Sequence, residues 1–317
     1  MIVGVSPAIR RALALAERYA RTNLPILLVG ATGTGKEVFA QHIHERSGRP
    51  GPLLDVNCGA LPRDMVESLL FGHRKGAFTG AVESTDGYVA RSDGGTLFLD
   101  ELTSLAPDAQ VKLLRVLETG QVQPLGAVRK RDVDLRVVAA AQDDLSAALR
   151  DGRFRRDLYQ RLAGVVIELP RLAHRQEDLL PLAQYFASRD RRTLEAGVHA
   201  VIHGYGWPGN VRELRLAIER AGYLVDNGSL SAPAVAQAIA LGQEAGSDQG
   251  GAVGDIVTAG VATGWNTDRI ATALRIHRST LFRRLSHHGV TLRSLRESHE
   301  SRDRRATDAT VGAGISR

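Results

Sequence analysis

Val29-Gly30-Ala31-Thr32-Gly33-Thr34-Gly35-Lys36-Glu37 lies between an apolar, strand-like run (Leu24 to Val29) and a helix-like one, and its reading decides the fold. A loop of this make-up in this setting is built to hold phosphate. Glycines at 30, 33 and 35 let successive backbone N–H groups turn inward on phosphate oxygens, the following helix N-terminus adds positive potential, and Lys36 reaches the β- and γ-phosphates. The bland alternative is a glycine-rich turn that binds nothing, which leaves the lysine and both flanks unexplained. Glu37 stands where a Ser or Thr hydroxyl usually meets Mg²⁺, so a metal must find its ligands elsewhere.

Outward from that loop, residues 1–166 alternate short apolar runs (Pro25–Val29, Leu53–Val56, Thr96–Leu99, Leu135–Ala141) with helix-like segments (Ala8–Ala20, Val38–Arg46, Ala109–Thr119). That is an α/β layout with a largely parallel sheet. In residues 167–241 strands disappear and helical periodicity dominates, as in a small helical domain. Residues 242–251 are small and polar and read as a linker, residues 252–295 form a third unit, and residues 296–317 are a polar tail expected to be disordered.

Thr96-Leu97-Phe98-Leu99-Asp100-Glu101 reads as a buried strand that ends in two acids. Asp100 is placed to hold Mg²⁺, directly or through water, and Glu101 to polarise an attacking water. Alone, such a strand is unremarkable at a sheet edge; downstream of a phosphate loop it is the second half of an ATP site.

Composition sets the outer limits. With 317 residues, 43% of them hydrophobic, the chain can bury a large core, and no apolar run approaches the roughly 20 residues of a membrane span. The single Cys58 cannot form an intrachain disulfide, which favours the cytoplasm, and it reads as a small buried residue. His42 and His44, two apart on a helix, face different ways and are read as surface residues rather than metal ligands. The net charge of +6 is concentrated: Trp265 to Ala306 holds ten Arg and no Lys against four acids, as a nucleic-acid-binding appendage would.

Six stretches point further: Gly30 to Glu37, Val56-Asn57-Cys58, Phe71 to Ala81 (FGHRKGAFTGA), Gly94 to Glu101, Phe154 to Leu162 (FRRDLYQRL) and Trp207 to Leu214 (WPGNVREL). In order and spacing they resemble the AAA+ domain of bacterial sigma-54-dependent transcriptional activators, also called enhancer-binding proteins, from Val3 to about Ala240. The Lys36-Glu37 pair is itself the usual form there.

The resemblance implies an AAA+ phosphate-loop core, a small α-helical lid and an ATPase that works as a ring, with a hexamer expected. Its nucleotide set here is Val3 and Gly4 beside adenine, Gly30, Ala31, Thr32, Gly33, Thr34, Gly35, Lys36 and Glu37 around phosphate, Gln142, and Arg212 from the lid. Asn57 corresponds to a switch residue that holds Glu101. Arg155 and Arg161 correspond to the arginines that enter the neighbouring subunit's site, although on sequence alone they are simply basic residues on a helix. Gly76-Ala77-Phe78-Thr79-Gly80-Ala81 is identical to the loop that contacts sigma-54 and transmits the ATP-driven movement. Three positions depart: Ala141-Gln142 replaces the usual Thr-Asn, Ala31 a common Glu, and Leu172-Ala173-His174-Arg175 keeps part of a Leu-Arg-x-Arg run.

At the C-terminus, Thr267–Leu274, Arg275-Ile276-His277 and Arg278–Leu285 read as helix, turn and helix, similar to the Fis-type helix-turn-helix that ends many such activators. Asp268 and Ser279 lie near the helix starts. Arg278, Ser279, Thr280, Arg283 and Arg284 are offered to a DNA groove, while Leu281 and Leu285 face inward. The expectation is a cytoplasmic ATP- and Mg²⁺-dependent activator that binds an enhancer-like site on double-stranded DNA and remodels sigma-54 RNA polymerase. An adenine-pocket segment almost at the first residue leaves no room for a preceding regulatory domain, so control is expected from a separate regulatory protein or from expression level. The alternatives are a DNA-binding repressor or co-regulator with impaired hydrolysis, and a generic AAA+ remodelling ATPase.

Overall fold

A computed structural model gives the fold and describes residues 2–142, 144–225, 228–247, 253–274, 281, 285 and 291–296, the side chains of 244–247 and 253–255 excepted. The chain divides into two compact units, Met1–Ala236 and Gln237–Arg317.

The strands of the first unit are β1 (Ile26–Val29), β2 (Leu53–Asn57), β3 (Thr96–Asp100), β4 (Gln121–Val122), β5 (Arg131–Asp132), β6 (Arg136–Ala141), β7 (Val165–Glu168), β8 (Thr193–Leu194) and β9 (Ser229–Leu230). Its helices begin with α1 (Pro7–Ala20), α2 (Lys36–Ser47), α3 (Val66–Phe71), α4 (Tyr88–Arg91), α5 (Pro107–Thr119), α6 (Leu145–Arg150) and α7 (Arg156–Leu162). They continue with α8 (Leu179–Arg189), α9 (Val198–His203), α10 (Asn210–Tyr223) and α11 (Ala232–Ser247), the last crossing the division between the units.

Five strands form a parallel sheet in the order β2-β3-β6-β1-β7. The strand side chains alternate between two apolar clusters, as a period of two requires. Leu27, Leu97, Leu99, Val137 and Ala139 pack with Leu70, Leu113 and Leu158 of α3, α5 and α7. Ile26, Leu28, Phe98, Val138 and Ala140 pack with Ala16, Phe39 and Ile43 of α1 and α2. This two-sided burial is what made the strands read as continuous apolar runs.

Differences from the expected layout have local causes. The edge strand β7 runs two residues past the boundary set at 166, which cuts through its apolar run Val165-Val166-Ile167. The helical region contains one strand pair after all, β8 with β9, two residues each. The first six residues of the expected linker, 242–247, continue α11.

In the second unit, α13 (Thr267–Ala273) matches the first of the two expected helices, and it is preceded by α12 (Val253–Thr263), which the sequence reading did not place. The cap of α13 is Asn266, whose side chain accepts from the N–H groups of Asp268 and Arg269. Leu281 and Leu285 are buried with Ile256, Ile270 and Leu295, as their spacing required. The expected disorder of 297–317 and the groove-facing residues Arg278, Ser279, Thr280, Arg283 and Arg284 lie outside the described residues.

The two α2 histidines are not plain surface residues. His42 is half-buried against Glu17 at 3.3 Å, and His44 shares a 2.9 Å hydrogen bond with the buried Thr96 hydroxyl. Nearby, the buried Arg136 closes the end of α1 by donating to the carbonyls of Tyr19 (2.8 Å) and Ala20, and burial lowers its pKa to about 10. Burial, and after it Arg136, hold His44 below the ordinary imidazole value of 6.5. A lowered folded pKa gives stability that is complete above 6.5 and is lost as pH falls through the lowered value. Denaturant titrations in that acid window should therefore show a steeper loss of stability in the native chain than in His44→Gln.

Candidate functional site

The strand ends bring the expected residues to one edge of the sheet. The phosphate loop follows β1, Asn57 ends β2, Asp100 ends β3 and Gln142 follows β6. Asn57 pairs in register with Asp100, and Val29 with Ala141, so loop, acids and Gln142 are neighbours by pairing alone. The carboxyl edge of a parallel sheet is where such folds take ligands. Here α8 and α10 of the helical region cover it, leaving a cleft of about 400 Å³ lined by Thr32, Gly33, Gly35, Lys36, Glu37, Asn57, Asp100, Glu101, Gln142 and Arg212.

Gly33 (φ 78°) and Gly35 (φ 107°) take the left-handed conformation that glycine alone adopts without strain, and Gly35 caps α2. Gly30 is required for another reason: a β-carbon there would collide with the Leu169 carbonyl. Lys36 is buried, with Nζ donating to the carbonyls of Gly30 (2.7 Å) and Ala31 (3.2 Å), and Thr34 Oγ1 also donates to Ala31.

The lid is fastened to the loop through backbone. The N–H groups of Val211 (2.9 Å) and Arg212 (3.3 Å) donate to the Gly33 carbonyl. Asn210, buried and left-handed at φ 55°, donates through Nδ2 to the Thr32 carbonyl at 2.9 Å, while its Oδ1 accepts from the Leu172 N–H at 2.8 Å. Arg175 Nη2 donates to the Thr34 carbonyl at 2.9 Å.

The acids are held in a defined attitude. Asp100 Oδ1 accepts from the Glu101 N–H at 2.8 Å, and Glu101 itself sits at φ 51°, an unusual conformation for a residue with a β-carbon. Its carboxylate lies against Gly59, where a β-carbon would collide with Oε2. Asn57 Oδ1 accepts from the N–H groups of Gly59 and Ala60, so the same turn seats Asn57 and Glu101 side by side in the cleft. Burial, then the charges of Glu37 and Asp100, raise the pKa of Asp55, which marks this corner as rich in negative charge. A divalent cation bridging to phosphate suits that corner, with Asp100 as its protein ligand. The described residues hold no group of three His, Cys, Asp or Glu able to bind a metal unaided. Cys58 is buried and its thiol is pushed up to about 12, so it is inert beside the acids.

Other expected residues fall elsewhere. Ala141 is part of the core and it is Gln142 that lines the cleft, so the loss of a threonine at 141 costs the cleft no donor on this strand face. Val3 lines a second, apolar chamber of about 90 Å³ that shares Gly35, Val38, Phe186 and Val211 with the main cleft. Gly4 does not line it; a β-carbon there would meet Ile9 and Asp178. Arg155 is exposed and paired with Asp157 at 2.7 Å, and Arg161 donates to the Leu117 carbonyl at 2.8 Å. Neither lines the chain's own cleft.

In the Gly76–Ala81 loop, both glycines have positive φ (80° and 99°), Gly76 N–H bonds to Ala81 O at 2.9 Å, and Phe78 stays 44% exposed against the His73 ring, with centroids 5.0 Å apart. The tip is thus a closed turn that presents an aromatic.

Sequence reasoning missed Asn210, Arg175, Phe186, Arg189 and Arg215; the last three also line the cleft. For Asn210 the signal was present in the turn Trp207-Pro208-Gly209-Asn210, where Trp207 too has positive φ (49°). Asn210→Ala leaves the Leu172 N–H without its acceptor and strains the backbone, so it should cost about 2–4 kcal/mol in chemical denaturation. Asn210→Gly, which keeps the backbone freedom, should recover about 1–2 kcal/mol of that loss.

The sigma-54 interaction domain family matches residues 2–168 and the AAA+ ATPase lid domain family matches residues 173–251. The chain is 45% identical over 229 residues to the transcriptional regulatory protein ZraR of Klebsiella oxytoca, a match covering 69% of this chain and 52% of that protein. With ZraR of Escherichia coli K12 it is 42% identical over 301 residues, 90% of this chain and 68% of the other. The structure is similar to that of NtrX from Brucella abortus in complex with ATP, with a TM-score of 0.69 and 28% identity over 92% of this chain and 70% of that one. This chain spans about half the length of the Klebsiella protein.

Proposed function

The chain belongs to the sigma-54 interaction domain family, and on that premise we propose that it is an ATP-driven transcriptional activator that remodels sigma-54 RNA polymerase to open a promoter. The observation that carries the proposal is the convergence of Lys36, Asn57, Asp100, Glu101 and Gln142 from four strand ends with Arg212 from the lid in one cleft.

In this reading Lys36 leaves its loop carbonyls for the β- and γ-phosphates, and N–H groups of the loop after Gly30, whose own N–H is committed to the Ala141 carbonyl, cradle them. Asp100 would hold a Mg²⁺ ion there, which would supply charge neutralisation. Glu101 orients and polarises the attacking water, with Asn57 beside it to hold the carboxylate until the nucleotide is arranged. Arg155 and Arg161, exposed and absent from their own cleft, act on a neighbouring subunit's γ-phosphate, which requires a homo-oligomeric ring. Phe78 and Thr79 at the closed tip contact sigma-54, the C-terminal unit binds double-stranded DNA, and the work is done in the cytoplasm. No helix among the described residues is long and apolar enough to cross a membrane.

Lys36→Ala should abolish ATP binding in an equilibrium titration. Glu101→Gln should bind ATP normally and hydrolyse it at least a hundredfold more slowly, on the order of what loss of a water-activating group costs.

The promoter role is tested by in vitro transcription with purified sigma-54 polymerase on a supercoiled template. The native chain should open the promoter with ATP, and Phe78→Ala or Thr79→Ala should lose that output while keeping most of the hydrolysis. Hydrolysis without any promoter opening would favour a generic remodelling ATPase; DNA binding without hydrolysis would favour a repressor or co-regulator.

A further inference from the structure

Gln110, on α5, is fully buried, and an amide is costly there unless its polar atoms are partnered. All of them are. Nε2 donates to the carbonyls of Leu105 (2.8 Å) and Arg153 (3.0 Å), and Oε1 accepts from the Arg155 N–H (2.9 Å). Two of these bonds reach 43 and 45 residues along the chain, and they take hold of the backbone on both sides of Phe154. Phe154 is itself buried, with its N–H on the Ala148 carbonyl at 3.1 Å. Three successive residues are therefore pinned to the interior where the chain launches the exposed side chain of Arg155.

The guanidinium is held as well. Its Nε and Nη2 donate to the two carboxylate oxygens of Asp157, at 3.1 and 2.7 Å, and Asp157 Oδ1 also accepts from the Leu158 N–H at 2.7 Å. That grip takes the side of the guanidinium. It leaves both N–H groups of Nη1 and one of Nη2, the end-on fork whose spacing fits two oxygens of a phosphate. Neither Gln110 nor Asp157 lines the chain's own cleft. An exposed ion pair contributes little to stability, and a buried amide with its bonds made is worth little more than an apolar side chain of the same shape. What the two residues share is control over where one exposed guanidinium points.

We propose that Gln110 and Asp157 are positioning residues that aim Arg155 at the γ-phosphate bound by a neighbouring subunit. The inference rests on the reading of Arg155 as acting in that subunit's site, and deepens it. An arginine that enters a site built by another chain must have its direction set by its own chain: Gln110 fixes the backbone from which it starts, and Asp157 fixes the plane of its head group. Gln110→Met keeps the side-chain length and removes all three bonds. Asp157→Ala removes the side grip at an exposed position.

The test is ATP hydrolysis by the full chain, alone and in mixtures of two kinds of subunit. Each variant alone should lose roughly tenfold to a hundredfold in kcat, the cost of a misplaced catalytic group, while binding a fluorescent ATP analogue as the native chain does. Each should then regain hydrolysis when mixed with Glu101→Gln, whose subunits supply a well-aimed Arg155 but do not activate water. Mixing with Arg155→Ala, which supplies no arginine, should restore nothing. A misfolded subunit does not hydrolyse ATP in any mixture, so recovery with one partner and not the other separates loss of aim from loss of structure. A native kcat in either variant overturns the proposal, as does the same result with both mixing partners. If Gln110→Met fails to fold, Asp157→Ala decides the question. If Arg155→Ala itself hydrolyses at the native rate, the reading of Arg155 falls and this inference with it; if Arg155→Ala is inactive and Asp157→Ala is native, only this inference falls.

Discussion

Five successive carbonyl oxygens, from Gly30 to Thr34, each accept a hydrogen bond from a donor on another residue. Lys36 Nζ takes Gly30 and Ala31, Asn210 Nδ2 takes Thr32, the N–H groups of Val211 and Arg212 take Gly33, and Arg175 Nη2 takes Thr34. Because the carbonyls are held outward, the N–H groups of the same peptides are left to face an anion. The rest of the first unit is organised around that constraint. The sheet brings the acids alongside by strand register, and the helical region supplies four of the donors, so the loop's shape and the closure of the cleft are one structural fact.

Much of this was legible in the sequence because it is local. The phosphate loop, the strand ending in Asp100 and Glu101, and the Gly76–Ala81 tip each occupy a continuous stretch whose residue types follow from backbone geometry, positive φ at Gly33, Gly35, Gly76 and Gly80 above all. Parallel strands covered on both faces also announce themselves, since runs such as Ile26–Val29 and Val137–Ala141 are apolar throughout. What stayed hidden is non-local. Arg175 read as a remnant of a broken pattern, and only its meeting with Thr34, 141 residues away, shows its use. Asn210 stood only as one member of the Trp207–Leu214 stretch, yet it spans 178 residues to reach Thr32. Strand β7 carries a short apolar run, Val165-Val166-Ile167, directly after the helical stretch of α7, and the boundary at 166 divided it.

The position of Ala141 shows how a departure at the sequence level is softened by strand geometry. Along β6 alternate residues face opposite clusters, and Ala141 falls into the one packed on α3, α5 and α7 while Gln142 follows into the cleft. An alanine there fills core volume without stranding a polar group, and the amide one residue later keeps a donor and an acceptor at the nucleotide.

The span of those fastening bonds bears on how the molecule is made. A chain synthesised from its N-terminus has its phosphate loop complete when residue 36 emerges, yet the donors for Thr32, Gly33 and Thr34 arrive only with Arg175 and then Asn210, Val211 and Arg212. The bond from Asp178 to the Ser6 N–H, across 172 positions, is made equally late. Until then only the local bonds from Lys36 and Thr34 hold the loop. Its final fastening therefore waits on the synthesis of the helical region.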